Sequence, residues 1–168
     1  MHVLGDMVLV PSMPDRDTVF RTAVLGERTR LLGLAFTMLR DAGAAEDAVQ
    51  SALEICWRSW DTVRDESRRS AWMTTICVRQ CLRVRTWRLR RPVGTLEEWD
   101  AAGEFREPDV DLDRAYQRLS RRQRAVVVLH YHYGYTLDEC ASLMNCRPGT
   151  ARQHLARALA SLRRALDQ

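Results

Sequence analysis

The stretch Thr136-Leu137-Asp138-Glu139-Cys140-Ala141-Ser142-Leu143-Met144-Asn145-Cys146-Arg147-Pro148-Gly149-Thr150-Ala151-Arg152-Gln153-His154-Leu155-Ala156-Arg157 decides how the chain is read. Thr136 with Glu139 three residues on is a capping box, in which each side chain satisfies the other's backbone N–H. The short helix it opens carries Leu137, Cys140, Ala141, Leu143 and Met144 on one face. Residues 145–149, Asn-Cys-Arg-Pro-Gly, read as a tight turn. A last helix is then expected from Thr150 to Leu166, with Ala151, Leu155, Ala158, Leu159, Leu162 and Leu166 at helical spacing. Two helices joined by so short a turn make a helix-turn-helix. Arg152, Gln153, His154 and Arg157 lie off the apolar stripe, and they are donors suited to phosphates and to purine edges in a major groove. Residues 147–165 hold five Arg and no acid. The bland reading is a helical hairpin with a solvated basic face. Cap, turn, glycine and one-sided charge together favour DNA.

Upstream, residues 121–133 form a helix with Val126, Val127, Leu129 and Tyr133 inward, ended by Gly134. Residues 112–119 form another, and Ser120 is its stop or the next cap. Residues 92–112 differ. Pro92, Gly94, Gly103 and Pro108 punctuate them, and residues 95–113 carry a net −7, which leaves +11 elsewhere. Such a segment has no packing face and is expected to be an extended, flexible acidic linker. The first half reads as four helices: one with Val19, Phe20, Ala23 and Val24, capped by Asp15 or Asp17; one through residues 31–39; one over residues 44–60; and one from about Ser70 to Leu89. The fold class is therefore all-α, two small helical bundles on a linker. The boundaries are 1–15 for a disordered N-terminal extension, 16–91 for the first domain, 92–111 for the linker and 112–168 for the second domain. Met13 is a second candidate start.

Of 168 residues, 46% are apolar and 29% charged, which is globular composition. No apolar run reaches the ~18 residues of a membrane span, so no membrane insertion is expected. The first residues lack the basic and apolar segments of a secretory signal, and a cytoplasmic, nucleoid-associated location is expected. All 26 basic residues are Arg. Codon usage accounts for most of that, and guanidinium forks that grip phosphate are the second cause. The five cysteines, Cys56, Cys77, Cys81, Cys140 and Cys146, are odd in number and show no C-x-x-C spacing. They read as buried small side chains rather than a disulfide frame or metal site, although Cys140 and Cys146 are also candidate oxidant sensors. His130-x-His132 is the nearest approach to metal spacing and suits a helix end poorly. No phosphate loop or nucleophile elbow is present. Neither an enzyme nor a cofactor is expected.

Residues 79–91 form a second basic patch, with Arg79, Arg83, Arg85, Arg88, Arg90 and Arg91 around Trp87. Six like charges in thirteen residues repel unless a polyanion neutralises them. Guanidinium beside indole suits single-stranded nucleic acid, where bases stack and phosphates pair. Glu46, Asp47 and Gln50 sit on the outer side of the third helix. On physics alone they are a solvated helix start favoured by the helix dipole.

The order of these pieces resembles a sigma-70-family initiation factor of the two-domain, extracytoplasmic-function type. Leu34-Ala35, then Ala45-Glu46-Asp47-Ala48-Val49-Gln50, then Trp72-Met73-Thr74-Thr75-Ile76-Cys77 and its basic run resemble the family's region 2. Leu119-Ser120-Arg121-Arg122-Gln123-Arg124, Thr136-Leu137-Asp138-Glu139-Cys140-Ala141, Gly149-Thr150-Ala151-Arg152 and Arg157-Ala158 resemble region 4. The resemblance implies that Glu46, Asp47 and Gln50 dock on the clamp helices of the largest subunit of core RNA polymerase. It implies that the loop of residues 61–70 and the next helix take unstacked −10 bases, through Arg64, Arg68, Arg69, Trp72, Arg79, Arg83, Trp87 and Arg88. It implies that His130, Arg147, Gly149, Thr150, Arg152, Gln153, His154 and Arg157 serve the −35 element. The linker would follow the RNA-exit side of the polymerase, whose second-largest subunit is a further partner. The family often has Asn where Arg79 stands and Asp where Arg83 stands; these departures bear on base preference at −10 rather than on strand binding. An anti-sigma or other regulatory protein is an expected partner, since two basic modules would otherwise bind nucleic acid indiscriminately. The rival reading is a stand-alone helix-turn-helix regulator that binds duplex DNA without polymerase.

Overall fold

A computed structural model describes residues 15–84 and 110–166, with side chains from 114 onward in the second segment. Seven α-helices make up the described chain: α1 Arg16–Leu39, α2 Ala42–Arg58, α3 Glu66–Arg83, α4 Val110–Gln117, α5 Arg121–Val127, α6 Leu137–Leu143 and α7 Pro148–Leu166. A 3-10 turn, Trp60–Thr62, follows α2, and a π turn, Val128–His132, follows α5. No strand occurs among the described residues. Of the expected extension 1–15 only residue 15 is described, as the N-cap of α1; residues 92–109 of the expected linker and the basic run beyond Val84, including Trp87 and Arg88, lie outside the described residues, while residues 110–111, expected in the linker, begin α4.

Where two helices were expected at the start, there is one of 24 residues. Neither Gly26 nor Gly33 breaks it, because nothing presses on either position and the residues between them are ordinary helix formers. Asp15 holds the N-cap position but its side chain makes no cap bond, so the expected Asp cap is not formed. Arg40, left-handed at φ 57, stops α1, and Asp41 caps α2 by accepting from the Ala44 N–H at 2.8 Å. Asp65 caps α3 through Ser67 N–H at 3.0 Å. The helix therefore starts one turn before the expected Ser70.

Leu31, Leu34, Ala35 and Met38 of α1 pack with Val49, Ala52 and Cys56 of α2 and with Met73, Cys77 and Val78 of α3, all nearly free of solvent. One half-buried polar tie joins α1 to α3 at the edge of this core. Arg30 donates to Thr74 Oγ1 at 2.7 Å and to Ser70 Oγ at 3.2 Å, while its Nε meets Glu27 at 2.7 Å. Burial pushes the Cys56 thiol up to about 12, and a hydrogen bond to Cys77, then burial, raises Cys81. Protonated, enclosed thiols are poor nucleophiles, which fits the reading of the buried Cys56, Cys77, Cys81 and Cys140 as core residues; Cys146 departs from it, being only half-buried in the turn before α7.

In the second group Ser120 is a cap rather than a stop: with Gln123 it forms a capping box. Thr136 and Glu139 form the expected one, with the Thr136 N–H donating to Glu139 Oε2 at 2.8 Å. Gly134 takes φ 72 and lets the chain leave the π turn. The last helix begins at Pro148, two residues before the expected Thr150, since proline is preorganised for the first helical position.

The two groups of helices are not apart. Met38 and Leu39 belong to the same buried cluster as Ala125, Val126, Leu129, Cys140 and Met144. Contacts join α1 and α3 to α5 and α6. Among the described residues, hydrogen bonds cross the seam from Arg124 Nη1 to the Leu39 carbonyl at 3.4 Å and from Arg79 Nη2 to the Ser142 carbonyl at 3.3 Å.

Candidate nucleic-acid interface

The helix-turn-helix is α6, a turn through left-handed Asn145 (φ 52), and α7. Leu143, Met144, Ala151, Leu155 and Ala158 hold its inner side. That burial leaves Arg147, Gly149, Arg152, Gln153 and Arg157 exposed on one side of α7, with Thr150 and His154 half-buried beside them. The expected residues of this element are thus brought together. Arg152 is the constrained one, since its Nη2 lies 3.1 Å from Asp138 Oδ1 on α6. Burial, then the charges of Arg122 and Arg157, pushes the His154 imidazole down. A neutral ring can accept as well as donate, which suits a base edge. His130 stands apart from this row. Its Nδ1 is 2.7 Å from the Tyr135 carbonyl, so the ring closes the turn between the π turn and α6.

In the first group the residues assigned to melted DNA divide. Arg64 and Arg68 are exposed, and Arg68 pairs with Asp65 at 3.2 Å. Hydrogen bonds from Ser67, side chain then backbone, draw the Asp65 carboxyl down and keep it charged. Arg69 is largely enclosed: its guanidinium lies 4.6 Å over the Trp60 ring and Nη1 meets Glu66 at 2.8 Å. Trp60 meets the Phe20 ring edge to face at 4.9 Å and lies tilted against Trp72 at 6.2 Å, and Trp72 is half-buried. Arg69 and Trp72 thus pack against Trp60, the residue at which the loop of residues 61–65 begins. Arg79 and Arg83 are exposed on α3. Arg79 turns to the Ser142 carbonyl of α6, so in this arrangement the −10 candidate faces the helix-turn-helix.

Glu46, Asp47 and Gln50 are exposed on α2. Glu46 and Gln50 edge a groove of about 560 Å³ between α1 and α2, floored by Phe20, Leu32, Val49 and Trp57. Glu54 and Arg28 also line it, so the apolar floor carries a mixed rim, acidic on the α2 side and basic at Arg28, and can take a helix with apolar anchors. Among the described residues no three His, Cys, Asp or Glu side chains gather as a metal site.

Sequence reasoning missed three arginines. Arg16 lies 4.1 Å over Trp57 and pairs with Asp61 at 3.1 Å, a long-range contact without local signature. Arg121 and Arg124 end up at the seam. Arg124 is four residues before the inward Val128, so the helical period placed it on the core side.

A Sigma-70 region 2 model matches residues 24–91, and a Sigma-70 region 4 model matches residues 109–162. The ECF RNA polymerase sigma factor SigM of Mycobacterium tuberculosis is 31% identical over 173 aligned positions, covering 98% of this chain and 81% of its own. The chain belongs to the ECF sigma factor family. The RNA polymerase sigma-E factor of Streptomyces coelicolor is 29% identical over 153 positions, covering 88% and 85%. In fold, this sigma factor is similar to RpoE of Bartonella quintana, solved with the anti-sigma factor NepR (TM-score 0.61, 24% identity, 89% and 97% covered). It is also similar to CnrH, solved with the cytosolic domain of CnrY (TM-score 0.61, 20% identity, 90% of each covered). Within the described residues of this sigma factor no helix is long and apolar enough to cross a membrane.

Proposed function

We propose that this chain binds core RNA polymerase and directs it to promoters, with the first group of helices reading −10 and the second −35. The observation that carries the reading is the joint occurrence, in family order, of an exposed acidic α2 edge and an arginine-faced α7. A stand-alone regulator has no use for the first. Glu46, Asp47 and Gln50 offer carboxylates and an amide to basic residues of the polymerase, and the α1–α2 groove offers apolar anchorage. The exposed loop with Arg64 and Arg68, which begins at Trp60 against Arg69 and Trp72, receives unstacked bases and their phosphates. Arg79 and Arg83 follow the displaced strand. Arg152 and Gln153 are the base readers of α7, while Arg147 and Arg157 neutralise phosphates.

Chemically the protein contributes binding energy and no bond making. Phosphate contacts supply affinity and register, base edges supply choice, and single-strand capture favours opening of the duplex. The chain works in the cytoplasm at the nucleoid, and a regulatory protein of the anti-sigma class covers its basic faces until a signal removes it. The test is transcription in vitro with core polymerase on a genomic library, followed by mapping of start sites. A defined set of starts that depends on this chain is the expected result. Duplex binding at physiological salt without polymerase, and no effect on start-site choice, overturns it.

A further inference from the structure

Phe20, Leu53 and Trp57, which line the α1–α2 groove, are only half-buried. Leu25, 78% exposed, stands three and seven residues before Arg28 and Leu32 and so shares their stripe of α1. Aromatic and leucine side chains left half-open along one groove mark a docking place.

The chain brings apolar residues to this place itself. Arg16 opens α1; its guanidinium lies 4.1 Å over Trp57, and its Nη2 donates to the Trp57 carbonyl at 2.7 Å. The residues before it therefore join the described structure at the Trp57 end of the groove. Those at positions 3–10 read Val-Leu-Gly-Asp-Met-Val-Leu-Val. Of the whole chain 29% is charged, whereas Asp6 is the single acidic or basic residue among the first fourteen apart from His2. A segment so poor in charge gains by leaving water.

Length and charge agree with that destination. Between Phe20 and Leu32 the groove follows about 18 Å of α1. Residues 11–14, with Pro11 and Pro14, reach about 12 Å when extended, enough to turn back from Asp15 to the level of Phe20. The eight residues before them reach about 26 Å, more than the groove requires. With Val10 level with Phe20, Asp6 falls about 13 Å further along, and Arg28 lies about 12 Å along α1 from Phe20. The acid of the segment thus meets the basic residue of the rim. In an extended segment side chains alternate, so with Asp6 toward α1, Leu9 and Met7 turn toward α2, where Trp57 and Leu53 lie.

We propose that residues 3–10 occupy the α1–α2 groove of the free chain, running antiparallel to α1, with Leu9 and Met7 over Trp57 and Leu53 and Asp6 beside Arg28. This replaces the disordered extension expected from the sequence. On so short a tether the local concentration is on the order of millimolar, so an intrinsic Kd of about 100 µM keeps the groove about nine-tenths filled. The segment then competes with core polymerase for the groove, and this consequence alone rests on the proposed function.

The test is NMR of the full chain labelled at its methionine and leucine methyl groups. Nuclear Overhauser contacts from the Met7 methyl to Leu53, and from Leu9 to the Trp57 indole, are expected at every protein concentration. Met38, Met73 and Met144, enclosed in the core, report on the fold. Leu9→Asp is expected to lose both contacts and to leave those three core signals in place. Arg28→Glu is expected to weaken the contacts several-fold, and Asp6→Arg in the same chain to restore them. Absence of the contacts in the native chain, with Met7 at the shift of free methionine, overturns the proposal. So do contacts that grow in only as concentration rises, which assign the groove to a second copy. Core polymerase is expected to bind Leu9→Asp about tenfold more tightly than the native chain, the factor that a nine-tenths filled groove withholds. Equal affinities overturn the competition. No binding of polymerase by either chain overturns the proposed function instead, and the methyl contacts still decide the docking.

Discussion

Arg152 shows how little a residue's type says about its use until its neighbours are known. The chain carries 26 arginines, and charge alone does not rank them. Three fates are visible. Arg69 is spent on a tryptophan face, Arg124 is enclosed at a seam, and Arg152 is held beside Asp138 on the open side of α7. An exposed pair of that kind is worth little to stability, so its partner exchange with DNA is nearly free of cost. Arg152→Ala is expected to weaken promoter use by about 1–3 kcal/mol and to relax choice at one −35 position. Transcription from a panel of single-base promoter variants checks it, and an equal loss on all of them means that Arg152 touches phosphate alone. His154 gives a pH prediction. Its folded value lies below the ordinary imidazole value, so the unfolded chain binds the extra proton first. The stability held by the neutral ring is complete above the ordinary value and is lost as pH falls toward the lowered one. Thermal unfolding at stepwise lower pH is expected to show this loss, and His154→Gln to flatten that part of the profile.

At the scale of elements, local chemistry was legible wherever the signal lay within one turn of chain. The Thr136–Glu139 box is read from four letters and forms as read. Thr136→Ala removes the acceptor for the Glu139 N–H and is expected to cost about 1 kcal/mol, measurable by chemical denaturation. The first helix was the harder case. Its two apolar groups, residues 19–24 and 31–39, are separated by a polar stretch that begins at Gly26, so it reads as two pieces; yet Phe20 against Trp57 and Trp60, and Arg16 against Asp61, hold it as one. Gly26 is exposed with open space around it. Gly26→Ala is therefore expected to stabilise the chain by roughly 0.5–1 kcal/mol, through helix propensity alone, as a rise in melting temperature. On α2, Glu46→Arg reverses the rim of the groove without touching the core. It is expected to abolish association with core polymerase in a pull-down while the melting temperature stays within error of the native chain. A large fall in stability instead would make Glu46 a structural residue.

At the scale of the whole molecule, one buried cluster runs from α1 through α7. Leu129 is fully enclosed in it. Leu129→Ala is expected to cost about 2–5 kcal/mol, transfer and cavity together. The shared cluster predicts that calorimetry sees a single transition, shifted as a whole, rather than a second group melting by itself. The helix-turn-helix, the basic faces, the Thr136–Glu139 cap and the family were readable from the chain, because each depends on residues near one another in sequence and on a period that packing enforces. The relation between the two groups of helices was not. Composition suggested two units working apart, whereas the seam depends on Leu39 meeting Arg124, 85 positions away, and Arg79 meeting Ser142, 63 away. Contacts of that span leave no local pattern, since what pairs them is the shape of two assembled surfaces and the water both exclude.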